Sequence, residues 1–160
     1  MPEAFIERLR DLPADRVGEL VSESERAGSR FVRRLVDEWD NGANRFDRPG
    51  EVLFGARVAG RLVGVCGLNV DPYARDERVG RVRHLYVLSD FRRLGVARRL
   101  MAHVIAAAGG RFDNLRLRTH NPAAARLYEA LGFRPCVDGD ATHVVEVAMI
   151  GPRGQSRAEK

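Results

Sequence analysis

The stretch Val82-Arg83-His84-Leu85-Tyr86-Val87-Leu88, then Arg92-Arg93-Leu94-Gly95-Val96-Ala97, then Arg98-Arg99-Leu100-Met101-Ala102-His103-Val104-Ile105-Ala106-Ala107-Ala108 decides how this chain is read. The first segment is rich in β-branched and aromatic residues and reads as a strand. The last is an Ala-rich helix former that stops at Gly109-Gly110. Between them lies a short basic turn. A helix N-terminus presents unpaired backbone N–H groups and the positive end of a dipole, so this turn suits an anion, most naturally a phosphate. Gly95 and Ala97 let the backbone come close to a ligand, and Arg92, Arg93, Arg98 and Arg99 add charge. The turn is neither G-x-x-x-x-G-K-[ST] nor G-x-G-x-x-G followed by an acidic residue about 20 positions on, which argues against a nucleoside triphosphate or a nicotinamide dinucleotide. Taken alone, an Arg-rich helix start with one Gly also describes an ordinary solvated helix end.

Working outward, residues 5–10 read as a first strand and Pro13 as the opening of a helix with Val17, Leu20 and Val21 at helical spacing, broken by Gly28. Phe31, Leu35, Val36 and Trp39 mark a second helix that stops at Asn41-Gly42. Residues 51–58 and 61–70 flank Ala59-Gly60, the turn of a hairpin. Residues 71–79 form an irregular loop. After the strand–turn–helix unit, residues 114–119 make a short strand. Pro122 opens a helix ending at Gly132, and residues 133–137 and 142–150 make two final strands. The order is β-α-α-β-β-β-α-β-α-β-β, in one domain over residues 1–150 with a tail at 151–160 expected to be disordered.

The chain has 160 residues, 44% hydrophobic and 31% charged, which describes an ordinary globular protein with room for a core. No apolar run approaches the roughly 20 residues of a membrane span, and the acidic N-terminus does not read as a signal peptide. Cys66 and Cys136 have no metal-ligand or disulfide spacing. They read as small buried residues, and no metal is expected. The formal net charge of +5 invites a nucleic-acid reading. However, the charge is spread out, nearly all of it is Arg, and no nucleic-acid module pattern accompanies it. The expectation is a cytoplasmic protein, monomer or homodimer, with no nucleic-acid or membrane partner.

The segment Asn121-Pro122-Ala123-Ala124-Ala125-Arg126-Leu127-Tyr128-Glu129-Ala130-Leu131-Gly132-Phe133 changes the weight of the turn. Together with Arg92-x-x-Gly95-x-Ala97 it resembles the GNAT superfamily of acetyl-CoA-dependent N-acyltransferases. That family carries an R/Q-x-x-G-x-G/A turn after its fourth strand and an N-x-x-A-x-x-L-Y-x-x-x-G-F helix after its fifth. Asn121, Ala124, Leu127, Tyr128, Gly132 and Phe133 match the second motif, and the resemblance covers roughly residues 5–150. It implies an α/β (α+β) fold with a central mixed, mostly antiparallel sheet of about seven strands flanked by about four helices. It also implies acetyl-CoA as acyl donor, with the pantetheine arm lying where the fourth strand splays from the fifth. The backbones of Leu85, Tyr86 and Val87 would bond that arm, and the turn from Arg92 through Arg93, Leu94, Gly95, Val96, Ala97 and Arg98 would hold the pyrophosphate. Asn121 would bond pantetheine, with Ala124 beside it. Tyr128 would protonate the leaving thiolate, and a backbone N–H near Val87 would polarise the carbonyl.

The implied reaction is N-acetylation of a primary amine, of a small molecule or a peptide, by direct attack in a ternary complex. The general base is open. Some members carry a Glu five residues before the motif Asn, where this chain has Arg116. His84 is the first candidate base, His120 and His143 are weaker, and Asp71 or Glu77 could act through water. An amine of low pKa could dispense with a base. Phe31, Trp39, Arg116 and Arg118 are the acceptor-side candidates, in a region that also offers Arg30, Arg34, Arg45, Phe46, Asn69 and Tyr73. Its arginines would suit a carboxylate or phosphate on the acceptor, although Arg is also the default surface residue of this chain. A non-catalytic acyl-CoA-binding domain on the same fold is the rival reading.

Overall fold

Residues 61–70 are apolar with almost no polar alternation, the pattern of a strand covered on both faces, and the other elements are arranged around them. The computed structural model describes residues 3–12 and 14–150. β1 (Phe5–Arg8), β2 (Val52–Val58), β3 (Arg61–Val70), β4 (Val79–Val87), β5 (Asn114–Leu117), β6 (Arg134–Asp138) and β7 (Ala141–Glu146) form one sheet in the order β1-β2-β3-β4-β5-β7-β6. The β4–β5 pair is parallel and the other neighbours are antiparallel. The helices among the described residues are α1 (Ala14–Arg26), α2 (Phe31–Asn41), α3 (Val96–Ala108), α4 (Pro122–Ala130) and the short α5 (Val147–Ile150), with a 3-10 turn at Ser89–Phe91. This is the mixed seven-stranded α/β architecture expected from the sequence.

Side chains alternate along β3 and so separate the two faces of the sheet. Cys66 Sγ lies 3.8 Å from Met101 Sδ of α3. On the opposite face Gly67 leaves room for the Phe46 ring; an added Cβ would come within 2.5 Å of its Cε1. α3 covers the first face, and α1 and α2 cover the second. The β2–β3 hairpin turns on Ala59 and Gly60, both at positive φ (50° and 84°), as a two-residue type I′ turn requires. α2 ends where Gly42, at φ 82°, returns its N–H to Trp39 O.

Several boundaries differ from the sequence reading: β1 stops at Arg8 rather than Arg10 and β5 at Leu117 rather than Thr119. α3 starts at Val96 rather than Arg98, because Gly95 takes the left-handed conformation that turns the chain into the helix. The last strand stops at Glu146 instead of running to Ile150. There Val147 N–H bonds Asp113 O (2.9 Å), and Ile150 packs on Gly132, where an added Cβ would meet its Cγ2 at 2.7 Å. The helix start at Pro13 and the tail at 151–160 lie outside the described residues.

Candidate active site

β4 and β5 begin as parallel neighbours and then part. Val79, Gly80 and Arg81 pair with Asn114, Leu115 and Arg116, after which β5 ends at Leu117 while β4 runs on to Val87. Leu88 N–H bonds Val63 O (2.8 Å), so the Val63/Leu88 and Val65/Tyr86 positions are the hydrogen-bonded pairs with β3. Val87, between them, therefore turns its N–H and C=O into the gap. Its carbonyl accepts from Arg92 Nε (2.9 Å), which leaves the N–H as the open donor. Of the three backbones expected to receive an added strand, that of Tyr86 is taken up by Val65. Leu85 and Val87 remain on the wall of a cleft of about 880 Å³ that opens from this gap.

At one end of the cleft lies the basic turn. Arg93 and Gly95 both sit at positive φ (65° and 82°), a conformation Gly adopts freely and Arg only at a cost of about 1 kcal/mol. Gly95 caps α3 without any side-chain cap. Arg99 N–H is the first to find a partner in the helix, Gly95 O at 3.0 Å, so the amides of Val96, Ala97 and Arg98 have none within it. A Cβ on Gly95 would meet nothing within 4 Å. Unpaired amides, open space beside Gly95, and Arg93 and Ala97 on the cleft wall fit a diphosphate. Leu94 is half-exposed beside them, while the Arg99 guanidinium bonds Ala4 O.

Glu23 of α1, which no motif marks, braces this turn. Its carboxylate accepts from the Tyr86 hydroxyl (2.6 Å), the Ser89 hydroxyl (2.8 Å) and the Ser89 N–H (3.1 Å). Arg92 lies 3.8 Å away, with its guanidinium over the Tyr86 ring. Burial would raise the Glu23 pKa, but the hydrogen bonds from Tyr86 and Ser89 outweigh it and hold the carboxyl below its usual range. Burial and the bond to Glu23 push the Tyr86 phenol up to about 12. The Arg92 side chain, expected on the ligand, is thus engaged in holding the turn.

α4 supplies the opposite wall. Asn121 caps it by accepting from Ala123 N–H (2.9 Å) and Ala124 N–H (3.2 Å), with Pro122 in the first turn as the sequence indicated. The oxygen of Asn121 is committed, and its NH₂ is left to face the cleft. Tyr128 is buried against Phe133 and His143 and lines the cleft floor. Burial, with Cys66 nearby, raises its pKa, so the phenol is protonated at neutral pH. The Cys66 thiol is itself pushed up to about 12 by burial and is inert.

At the far end stands the β4 bulge. Val65 pairs with Tyr86 and Gly67 with Arg83, so His84 and Leu85 together oppose Cys66, and His84 takes φ 63°. The bulge turns the imidazole under α2, between Phe31 (6.4 Å) and Phe46 (6.2 Å). His84 is 7% exposed and neither ring nitrogen has a hydrogen-bond partner. Burial, then Arg83 and to a lesser degree Arg34, lower its pKa to about 3; the Phe31 backbone carbonyl, an acceptor, works the other way from outside hydrogen-bond geometry. As it stands, the imidazole is neutral and a feeble base.

Phe31 and Arg118 also line the cleft, as do Arg34 and Tyr73. Trp39 does not: it is 9% exposed and stacks on Phe46 in the core. Nor does Arg116, which lies 3.7 Å from Asp71 and 3.3 Å from Asp138 in a buried ion network shared with Arg81. His143 is held by Glu129 (2.8 Å) and Thr142 (3.0 Å), and His120 is an exposed loop residue off the cleft walls. Arg45 bonds Trp39 O, and Asn69 pairs with Asn44. Among the described residues no group of three His, Cys, Asp or Glu could hold a metal ion, and no helix is long and apolar enough to cross a membrane.

The comparisons with known proteins agree with this geometry. In fold, the chain is similar to a protein of Exiguobacterium sp. 255-15 (23% identity, 98% of this chain and 97% of that one, TM-score 0.82). It is similar also to an acetyltransferase of the GNAT family from Staphylococcus aureus Mu50 (17%, 91% and 99%, TM-score 0.73) and to an N-acetyltransferase from the same organism (14%, 91% and 99%, TM-score 0.66). Residues 14–133, which contain the bulge, the basic turn and the Asn121–Phe133 motif, match the model of the acetyltransferase (GNAT) family. The chain belongs to the GNAT acetyltransferase family.

Proposed function

We propose that this protein is an N-acetyltransferase that moves the acetyl group of acetyl-CoA onto a primary amine by direct attack in a ternary complex. The observation that carries the reading is the convergence, on one cleft, of three features. These are the uncapped α3 N-terminus, the unpaired Val87 N–H and the buried, protonated Tyr128. The residues fit acetyl-CoA. The amides of Val96, Ala97 and Arg98, with Arg93, would hold the diphosphate, and the Leu85 backbone and the Asn121 NH₂ would hold the amide-rich arm, leaving the Val87 N–H for the thioester carbonyl.

Acetyl-CoA supplies an activated acyl group, a thioester carbon open to attack by an amine. The chain's residues then divide the work. Val87 N–H donates to the carbonyl oxygen as negative charge gathers there. As the C–N bond forms and the C–S bond breaks, the Tyr128 hydroxyl gives its proton to the leaving sulfur, and the nitrogen sheds one proton to solvent, from which Tyr128 is restored. A raised phenol pKa keeps the proton in place until sulfur charge develops, and the same desolvation raises the proton affinity of the thiolate. Of the six arginines on the cleft wall, Arg81, Arg83 and Arg92 face carboxylates behind it, while Arg34, Arg93 and Arg118 have no ion-pair partner among the described residues, and the wall's one acidic side chain is Asp140. That positive field disfavours an ammonium ion and lowers the pKa of a bound amine. With His84 so weak a base, the acceptor is an amine already near its neutral form.

Thiol release from acetyl-CoA over a panel of amines tests this. Wild type should turn over at least one amine, and Tyr128→Phe should lose about a hundredfold in kcat while still binding acetyl-CoA. An unchanged rate in Tyr128→Phe removes it as the acid. Binding without turnover of any amine favours the rival acyl-CoA-binding reading.

A further inference from the structure

The α2 N-terminus is built differently from that of α4. α2 is eleven residues long, its N-cap Arg30 makes no side-chain cap, and its first internal partner is Arg34 N–H on Arg30 O (2.9 Å). The amides of Phe31, Val32 and Arg33 therefore have no partner in the helix. Directly beneath lies His84, more than nine-tenths buried, with two unpaired ring nitrogens, held there by the β4 bulge. An orphaned buried polar side chain costs stability unless something pairs with it. Arg34, exposed on the first turn, and Arg83 are the charged groups near enough to act on this ring, and Arg83 is itself 3.7 Å from Glu38. Ser29, Phe31, Arg34 and His84 all line the acceptor end of the cleft.

We infer that the α2 N-terminus, the Arg34 guanidinium and the His84 imidazole form an oxyanion subsite that holds the carboxylate of the acceptor, so the acceptor class is an amine bearing its own carboxylate, such as a free amino acid. The inference rests on the acetyl-transfer reading above and deepens it. Three kinds of group converge: helix amides with the positive dipole end, a guanidinium, and an imidazole that can donate one N–H. None of them favours a cation. The arrangement also gives the His84 N–H, unsatisfied on a strained bulge, an acceptor, since an anion at the helix end takes that one hydrogen bond.

The test compares common L-amino acids with their carboxamides in the thiol-release assay, with O-phosphoethanolamine as a phosphate-bearing arm. Each variant is first checked for folding by its acetyl-CoA-induced rise in Tm. The carboxylate form of the preferred acceptor should exceed its carboxamide by about ten- to a hundredfold in kcat/KM, mostly through KM. Arg34→Gln should collapse that ratio, Arg34→Lys should keep part of it, and His84→Gln should reduce it. A ratio near one in wild type, an unchanged ratio in Arg34→Gln, or preference for O-phosphoethanolamine overturns the carboxylate subsite. So does the failure of every panel member while acetyl-CoA still raises Tm, an outcome that leaves the donor site standing. No rise in Tm at all overturns the acetyl-transfer reading together with this inference.

Discussion

Replacing Asp71 by Asn should damage both the stability of the protein and its hold on acetyl-CoA. Asp71 has a fully buried side chain. Its Oδ1 accepts from Tyr73 N–H (2.7 Å) and Ala74 N–H (3.1 Å), and its Oδ2 lies 3.2 Å from Arg81 and 3.7 Å from Arg116. Arg81 and Arg116 are directly paired across β4 and β5, at the last register position before the strands part. Two guanidiniums in that position repel unless an anion lies between them. Asn keeps the shape and the loop hydrogen bonds but removes the charge, leaving a mostly buried cation pair with only the half-exposed Asp138 beside it, a change worth about 3–5 kcal/mol. At roughly 2–4 °C per kcal/mol for a chain of this size, Tm should fall by about 6–20 °C. Adding Arg116→Gln should recover part of the loss, because Arg81 keeps Asp140 O at 2.7 Å. Thermal denaturation of wild type, both single variants and the double variant closes the cycle, and acetyl-CoA titration reads the gap. A Tm within about 2 °C of wild type for Asp71→Asn, or a double variant no better than the single, would refute the idea that Asp71 clamps the fork.

Gly67→Ala decides a sign. In an open strand Ala would gain about 0.4–1 kcal/mol through the unfolded chain, but here the new Cβ meets the Phe46 ring, 2.5 Å from Cε1. Overpacking of about 1–3 kcal/mol should win, and a raised Tm would contradict that packing. Titration of His84 gives a pH signature. Its folded pKa of about 3 lies below the unfolded value near 6.5, so the stability it contributes is present above pH 6.5 and lost as pH falls toward 3. His84→Gln should flatten the decline of Tm between pH 6.5 and 4.5, and an unaltered slope there would count against a buried neutral imidazole. Glu23→Gln should raise the Kd of acetyl-CoA several-fold although Glu23 is placed to brace the turn from behind; an unchanged Kd would mean that the Ser89–Arg92 segment holds without it.

The parts of the molecule written in local sequence were legible. Ala59-Gly60, Asn41-Gly42, Pro122 and Gly95 each impose a backbone conformation on their own, and the hairpin, the α2 stop, the α4 start and the basic turn follow from them. The cleft itself was legible only through two motifs, Arg92–Ala97 and Asn121–Phe133, read together. Features that depend on distant pairing left no such trace. Glu23 meets Ser89 across 66 residues, and the Arg81–Asp71–Arg116 cluster joins a loop to two strands. Arg116 and Trp39 looked available to a substrate because residue type says nothing about which face of a strand or helix is covered. His84 was legible as unusual, but its burial and lowered pKa come from Phe31, Phe46 and the arginines that the fold brings around it.

The central claim is that acetyl-CoA binds in the β4–β5 gap with its diphosphate on the α3 N-terminus. Its most direct test is the Tm of wild type and Gly95→Glu with and without acetyl-CoA. At about a hundred times Kd, ligand linkage of about 2.7 kcal/mol should raise the wild-type Tm by about 5–10 °C. Gly95→Glu sets a carboxylate over the open amides and strains a φ of 82°, so it should abolish that rise. No rise in wild type at millimolar acetyl-CoA, or an equal rise in Gly95→Glu, would contradict the account.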